Sequence, residues 1–172
     1  MLRMEILPGE GVALAKVGES REVVESRLGP PVHPVRGSRA VYDTSPMLVL
    51  TSTDDDTVEL VEAASGEDGG EAFFDGVQLT FRFMDDVVAD LTAKGHRCEP
   101  IDIGYRFEPG FAIFSMGSRC AQDLEPGASE DDPRRICEGV SVAPYDYFEG
   151  PTEEEIEAYI RSQEAAHGSD DS

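Results

Sequence analysis

The side chains with the clearest potential for chemistry are two runs of carboxylates, Asp54-Asp55-Asp56 and Glu130-Asp131-Asp132. Carboxylate oxygens suit Ca²⁺, but neither run has the spacing of an EF-hand loop. Short acidic runs are usually solvated turns, and loop tips on a rigid sheet are where binding residues concentrate. We therefore expect exposed turns and take six residues as candidate contacts for a basic protein partner: Asp54, Asp55, Asp56, Glu130, Asp131 and Asp132.

Aromatic residues near the end of the chain form a second candidate. The stretch PYDYFEGP carries Tyr145 and Tyr147 just after the last strand that the pattern predicts. Aromatic side chains at such a place cover the core or an edge, and they are also enriched at the centres of protein interfaces. Both alternatives stay open, and Tyr145 and Tyr147 join the candidate partner contacts.

Three cysteines, Cys98, Cys120 and Cys137, raise the question of a metal or a disulfide. Their odd number favours reduced thiols, although Cys120 and Cys137 flank an acidic loop and would be able to pair in an exported protein. Together with His96 they number four ligands, but the irregular spacing lacks the Cys-x-x-Cys pair typical of zinc sites. The sequence predicts neither a metal nor a cofactor.

No catalytic motif accompanies these residues. Ser20 lies in Gly-Glu-Ser rather than in the Gly-x-Ser-x-Gly of a nucleophile elbow. His33, His96 and His167 are far apart and have no neighbouring motif, and there is no Walker-type phosphate loop. We expect a protein that is not an enzyme.

The net charge of the chain argues against some classes of partner and favours others. The 172 residues include 36 acidic and 14 basic side chains, for a formal net charge of −22. Such a chain repels nucleic acid and anionic lipid, while its field steers basic proteins towards it. With no apolar run long enough for a signal peptide or a membrane span, we expect a cytoplasmic protein.

The elements that must position these residues occur twice. Gly11-Val12-x-Leu14 leads to a helix over 21–28 with Ser20 as N-cap, and Gly76-Val77-x-Leu79 leads to a helix that starts at 84 or 85 and ends at Gly95. Strands follow at 38–44, 47–53 and 57–64, and again at 101–107, 111–115 and 137–143, with FAIFS matching MLVLT at an offset of 64. Buried helix positions are predicted at Val23, Val24, Leu28, Val87, Val88 and Leu91.

This order predicts an α+β fold of two tandem units, each a short helix packed on an antiparallel sheet, plus a C-terminal helix. The units span 1–64 and 73–148, joined by a linker at 65–72, and the second holds an acidic insertion at 117–135. Because one small sheet is marginal alone, we expect the two to join into a continuous sheet. A capping box predicts a helix over 151–166, whose stripe of Ile156, Tyr159 and Ile160 packs on the body or on a partner, before a disordered tail at 167–172.

The stretch LPGEGVALAKVGESREVVESRLGPP, with Gly18, Ser20, Val24 and Leu28-Gly29, carries a resemblance. It resembles the repeat units of the beta-lactamase inhibitor protein family and of SmpA-type assembly lipoproteins. The chain departs from their pattern at Val17 and Glu19. The resemblance implies a helix on an antiparallel sheet, duplicated in the inhibitor family into a concave binding surface. Inhibition itself does not follow, because a fold does not carry a function.

Two functions follow as hypotheses. The first is a non-enzymatic, acidic protein-binding module of inhibitor or immunity type that acts on a basic protein target. The alternative is a small-ligand-binding protein or an enzyme with a pocket between the two units.

Overall fold

The fold is that of a computed structural model, which describes residues 3–33, 37–65, 70–144, 147 and 153–167. Within them the α+β class predicted from the sequence is confirmed. The strands are Arg3–Leu7 (β1), Gly11–Val12 (β2), Ala15–Lys16 (β3), Arg39–Tyr42 (β4), Met47–Ser52 (β5), Val58–Ala64 (β6), Glu71–Phe74 (β7), Val77–Gln78 (β8), Arg82–Phe83 (β9), Cys98–Ile101 (β10), Gly104–Phe107 (β11), Phe111–Phe114 (β12), Ile136–Cys137 (β13) and Gly139–Val142 (β14). The α-helices are Arg21–Leu28 (α1), Met84–Ala93 (α2) and Glu153–His167 (α3). No helix of the described residues is long and apolar enough to cross a membrane.

The main sheet has seven antiparallel strands in the order β10-β11-β12-β14-β6-β5-β4. Its seam is the pair β6–β14, where Glu62 lies opposite Ser141. The pairing pattern repeats on the two sides of this seam, as β4-β5-β6 and as β11-β12-β14. This is the strand order that joining two duplicated units edge to edge would produce.

The register of the two sides also agrees, with one correction to the sequence match. Tyr42 pairs with Leu48 on one side as Phe107 pairs with Phe111 on the other, and all four side chains are buried in the core. Leu48 therefore corresponds to Phe111, whereas the offset of 64 would match it with Ala112. The predicted offset is therefore wrong by one residue. The error matters because a one-residue slip exchanges the core and outer faces of a strand.

A second, smaller sheet runs in the order β3-β2-β1-β7-β8. Its centre is a parallel pair, β1–β7, which places Arg3 beside Glu71 and Glu5 beside Phe73. The sequence predicted neither strand, and it assigned Glu71 and Ala72 to the linker; of that linker, residues 66–69 lie outside the described residues. Parallel pairing needs a long crossover connection, and here the whole first unit provides it.

Helix α1 has the bounds that the sequence predicts. Ser20 caps it by accepting a hydrogen bond from the Val23 amide at 3.3 Å, and Gly29 leaves the helix at φ 83°. Val24 is buried and Leu28 packs against the core, but Val23 is 47% exposed. The prediction for Val23 is wrong because neighbouring helix residues point about 100° apart, so only one of the Val-Val pair faces the core.

Helix α2 buries a wider stripe, formed by Met84, Val87 and Leu91, with Val88 partly buried at its side. It begins at Met84, one of the two predicted starts, without a side-chain cap. Gly95 follows its end at φ 93°, as a helix-terminating glycine does.

Two predicted strands are interrupted. The strand predicted at 101–107 is correct for Gly104–Phe107 only, because a turn at Asp102 and Ile103 separates β11 from β10 and makes the two a hairpin. The strand at 137–143 divides into β13, which pairs with β9, and β14, which pairs with β6 and β12. The insertion at 117–135 begins after β12 and contains a 3₁₀ helix, Ala121–Asp123, that closes a small core with Phe83 and Ile136.

Helix α3 reaches His167, one residue beyond its predicted end, while 151–152 and 168–172 lie outside the described residues. Its apolar stripe does not pack on the body, since Ile156, Tyr159 and Ile160 are all exposed.

Candidate functional site

Strands of both units build the outer face of the main sheet. Side chains alternate between the two faces of a strand, and the inner face is covered by α1, α2 and the small sheet. The outer face holds a cleft of about 540 Å³, which we call the seam cleft because it straddles β6–β14. Its apolar lining comes from Met47, Val49, Leu60, Ile103, Phe114 and Met116.

Glu62 is the charged group at the middle of this cleft. Its Oε2 accepts a hydrogen bond from Ser141 Oγ at 3.1 Å, and its Oε1 lies 3.4 Å from an Arg39 guanidinium nitrogen. The Glu62 side chain is only 18% exposed, whereas that of Arg39 is 64% exposed. The cleft therefore combines an apolar lining with one half-buried carboxylate. The arginine paired with that carboxylate, Arg39, is largely exposed to solvent.

Tyr147, a predicted contact, is not among the residues that line the cleft. It is 46% exposed, and the pKa of its phenol is raised by its partial burial first and then by the charges of Glu59 and Glu62. Tyr145, its predicted companion, lies outside the described residues.

The run Asp54-Asp55-Asp56 forms the exposed tip of the β5–β6 hairpin, as predicted. The Asp56 carbonyl accepts a hydrogen bond from the Arg21 amide at 2.8 Å, which fixes the tip beside the start of α1. Asp56 adopts a φ of 57°, a conformation that Asp tolerates better than most residues. Two further clefts, of about 510 and 530 Å³, border the tip.

The other acidic run lies at the opposite end of the strands. Glu130 and Asp131 are exposed, while Asp132 is half-buried and accepts hydrogen bonds from Arg134. Their loop leaves β12 at the end that faces Ala64, whereas the hairpin tip adjoins Val58 at the other end of β6. The two acidic runs therefore do not form one site.

Two carboxylates that the sequence did not mark as buried are Glu71 and Glu138. Glu71 accepts a hydrogen bond from the Thr80 hydroxyl, and burial raises its pKa against the opposing effects of that bond and of the Arg119 charge. Glu138 accepts hydrogen bonds from the Met116 amide and from Ser115 Oγ. No local pattern marks Glu71 as buried, because its burial follows from the β1–β7 pairing of distant segments.

The cysteines are three separate thiols. Cys98 is half-buried, Cys120 exposed and Cys137 buried, and burial raises the pKa of the Cys137 thiol to about 12. A thiol so reluctant to ionise is a poor nucleophile and metal ligand. No three His, Cys, Asp or Glu side chains of the described part of the chain are grouped as a metal site requires.

The histidines offer one pair of interest. His96 Nε2 lies 3.0 Å from an Asp75 oxygen, with Lys94 also beside Asp75 and the Phe74 ring 4.9 Å from the imidazole. In the described ranges, no hydroxyl or thiol is hydrogen-bonded to His33 or His96. The His96–Asp75 pair therefore connects the turn after β7 to the segment after α2.

Comparisons with protein-family models, with curated proteins and with solved structures found no match for this chain.

Proposed function

We propose that this chain is a non-enzymatic protein-binding module, of inhibitor or immunity type, that holds a basic protein target against the seam cleft. The observation that carries the proposal is the cleft itself, an apolar surface on the outer face of a rigid sheet, built by both units. Met116, at its rim, is 68% exposed, and exposed apolar clusters rimmed by polar groups mark interaction sites.

Charge supports the basic character of the target. The formal charge of −22 accelerates encounter with a positive surface and slows encounter with a negative one. The exposed hairpin tip Asp54–Asp56 and the loop residues Glu130 and Asp131 lie at the two ends of the sheet. In this proposal they steer the target, and the cleft between them supplies the contact. A cytoplasmic location is part of the proposal.

The test is a matched pair of substitutions, Met116→Lys in the cleft and Val23→Lys on α1, both at exposed apolar positions. Proteins retained from extracts of the source cells by the wild type are identified, purified and titrated against all three forms. We expect a basic protein whose binding is lost with Met116→Lys and kept with Val23→Lys. Equal binding by the wild type and Met116→Lys would remove the seam cleft as the contact surface.

A second candidate is a small-ligand-binding protein or an enzyme. It is favoured by the volume of the cleft, about 540 Å³, which lies in the range of small-molecule pockets, and by its place between the units. A thermal-shift screen with metabolite mixtures distinguishes the two. Stabilisation by a small molecule that Met116→Lys abolishes supports this candidate.

A further inference from the structure

We propose that Glu62 is the specificity-determining residue of the seam cleft, and that it receives a lysine or arginine side chain of the target flanked by an apolar residue. This inference rests on the proposed function and names the chemistry that the contact surface selects. Its basis is the position, environment and incomplete pairing of one carboxylate.

The position is central. Glu62 and Ser141 face each other at the seam, so the carboxylate stands where the two units join, on the strand next to β14, the middle strand of the seven. At the usual strand spacing the sheet is about 29 Å wide, and Glu62 has strands on both sides. Central, desolvated positions are where binding energy concentrates in protein interfaces.

The environment strengthens a charge contact at this point. Val49, Leu60 and Phe114 line the cleft around Glu62, which is itself 18% exposed. A partner that covers the cleft removes the remaining water, and charge pairs in such low-dielectric surroundings interact more strongly than on an open surface. Its Arg39 partner is 3.4 Å away and 64% exposed, so covering the cleft would leave this carboxylate poorly compensated unless the target supplies a cation.

The present pairing of Glu62 leaves room for that cation. A carboxylate has about four acceptor positions, and the described contacts are Ser141 at 3.1 Å and Arg39 at 3.4 Å. The Arg39 contact is long, and its side chain is 64% exposed, so Arg39 moves aside at little cost.

The apolar lining defines the rest of the ligand. Met47, Ile103 and Met116 flank the same cleft, and methionine side chains adapt to apolar groups of varied shape. A basic residue beside a leucine, isoleucine or aromatic residue satisfies both parts of the surface. A second copy of this chain has such a segment, Tyr159-Ile160-Arg161 on α3, but two molecules of charge −22 repel each other.

The test selects a displayed library of random short peptides on the wild type and on Glu62→Gln, with Glu99→Gln as the matched control. Glu99 is also paired with an arginine, Arg106, but lies on β10, outside the cleft lining. We expect the wild type to enrich Lys or Arg next to an apolar residue. The best peptide, once synthesised, should bind Glu62→Gln about tenfold or more weakly, Glu99→Gln unchanged, and Arg39→Gln more tightly.

The outcomes separate this inference from the proposed function. Selected peptides that carry no basic residue, or that bind Glu62→Gln as well as the wild type, overturn the role of Glu62 even if Met116→Lys abolishes their binding. Peptide binding that Met116→Lys leaves intact overturns the proposed function instead. A wild-type dimer in analytical ultracentrifugation that Met116→Lys dissociates would make a second copy the occupant and overturn the inference.

Discussion

The two halves of the molecule share strand order and register but hold their helices in different ways. In the second half, α2 buries Met84, Val87 and Leu91. In the first half, α1 fully buries only Val24. Apolar packing therefore holds α2, whereas α1 needs something more.

Hydrogen bonds hold α1 in place where its apolar packing is sparse. The buried Tyr42 hydroxyl donates to Glu25 Oε1 at 2.8 Å, and Arg21 Nε donates to the same oxygen at 2.9 Å. The position that corresponds to Tyr42 in the second half is Phe107, which stacks on Phe111 at 4.9 Å. One half thus uses a polar network at the place where the other uses two aromatic rings.

Carboxylates show the same contrast. Burial alone would raise the pKa of Glu25, but its hydrogen bonds with Arg21 and Tyr42 hold that pKa below the ordinary value. Burial dominates at Glu71, whose pKa is raised. The Glu25 carboxylate is therefore held in its charged form by its partners, whereas burial favours the neutral form of Glu71.

The largest expected effect tests the difference in apolar packing. Leu91→Ala should lower the free energy of unfolding by about 2–5 kcal/mol, because Leu91 is completely buried. Leu28→Ala should lower it by roughly half as much, because Leu28 is only partly buried. Urea denaturation of both variants measures the two costs. Equal losses would mean that α1 is held by packing after all.

The next prediction exchanges the residues that distinguish the halves. Phe107→Tyr should destabilise by about 1–3 kcal/mol, because its hydroxyl enters an apolar core without a partner. Tyr42→Phe should cost about 1–2 kcal/mol through the lost bond to Glu25. The same denaturation series measures both. A neutral Phe107→Tyr would show that the second half can accommodate the same network, and the contrast would fail.

The elements that local residues control were predictable. Ser20 and Gly29 set the ends of α1, and the alternation in β5 and β6 around Asp54–Asp56 sets a hairpin. The repeat order then predicted two sets of strands joined in one sheet. These features depend on caps, turns and side-chain periodicity, which act within a few residues.

Features that depend on distant contacts were not predictable in this way. The parallel β1–β7 pair joins segments separated by the entire first unit, and it buries Glu71 in what reads as a linker. The one-residue offset error came from matching residue types without knowing which face each occupies. Glu62 was visible only as one of several strand glutamates, since its central place follows from the β6–β14 pairing.

A smaller effect, on pH dependence, tests the carboxylate contrast. The native pKa of Glu71 is raised, so its favourable contribution is present below the unfolded-state pKa near 4.5 and is lost as pH rises through the native value. The lowered pKa of Glu25 gives a contribution present above that unfolded-state pKa and lost as pH falls through the native value. The stability of Glu71→Gln relative to the wild type should therefore be higher at neutral pH than at pH 4. The stability of Glu25→Gln relative to the wild type should be lower at neutral pH than at pH 4. Thermal unfolding across pH 3–8 measures both effects. If the stability difference from the wild type changes with pH in the same direction for both variants, the assignment is contradicted.

The smallest effect concerns the acidic ends of the two halves, and it appears in association kinetics. Asp54, Asp55 and Asp56 adjoin one end of β6, and Glu130 and Asp131 belong to the loop at the other end. Seven residues of β6 separate the ends by about 20 Å, twice the distance over which 0.1 M salt screens charge.

Neutralising either end with Asn or Gln should slow association with the basic target at low salt, with independent effects that fade as salt is raised. Asp132 stays unchanged in these variants because Arg134 already pairs with it. Stopped-flow association and dissociation rates at several salt concentrations provide the measurement. A change in the dissociation rate that persists at high salt would mean that the hairpin tip touches the target directly, and the first half would then contribute a contact that the second half lacks.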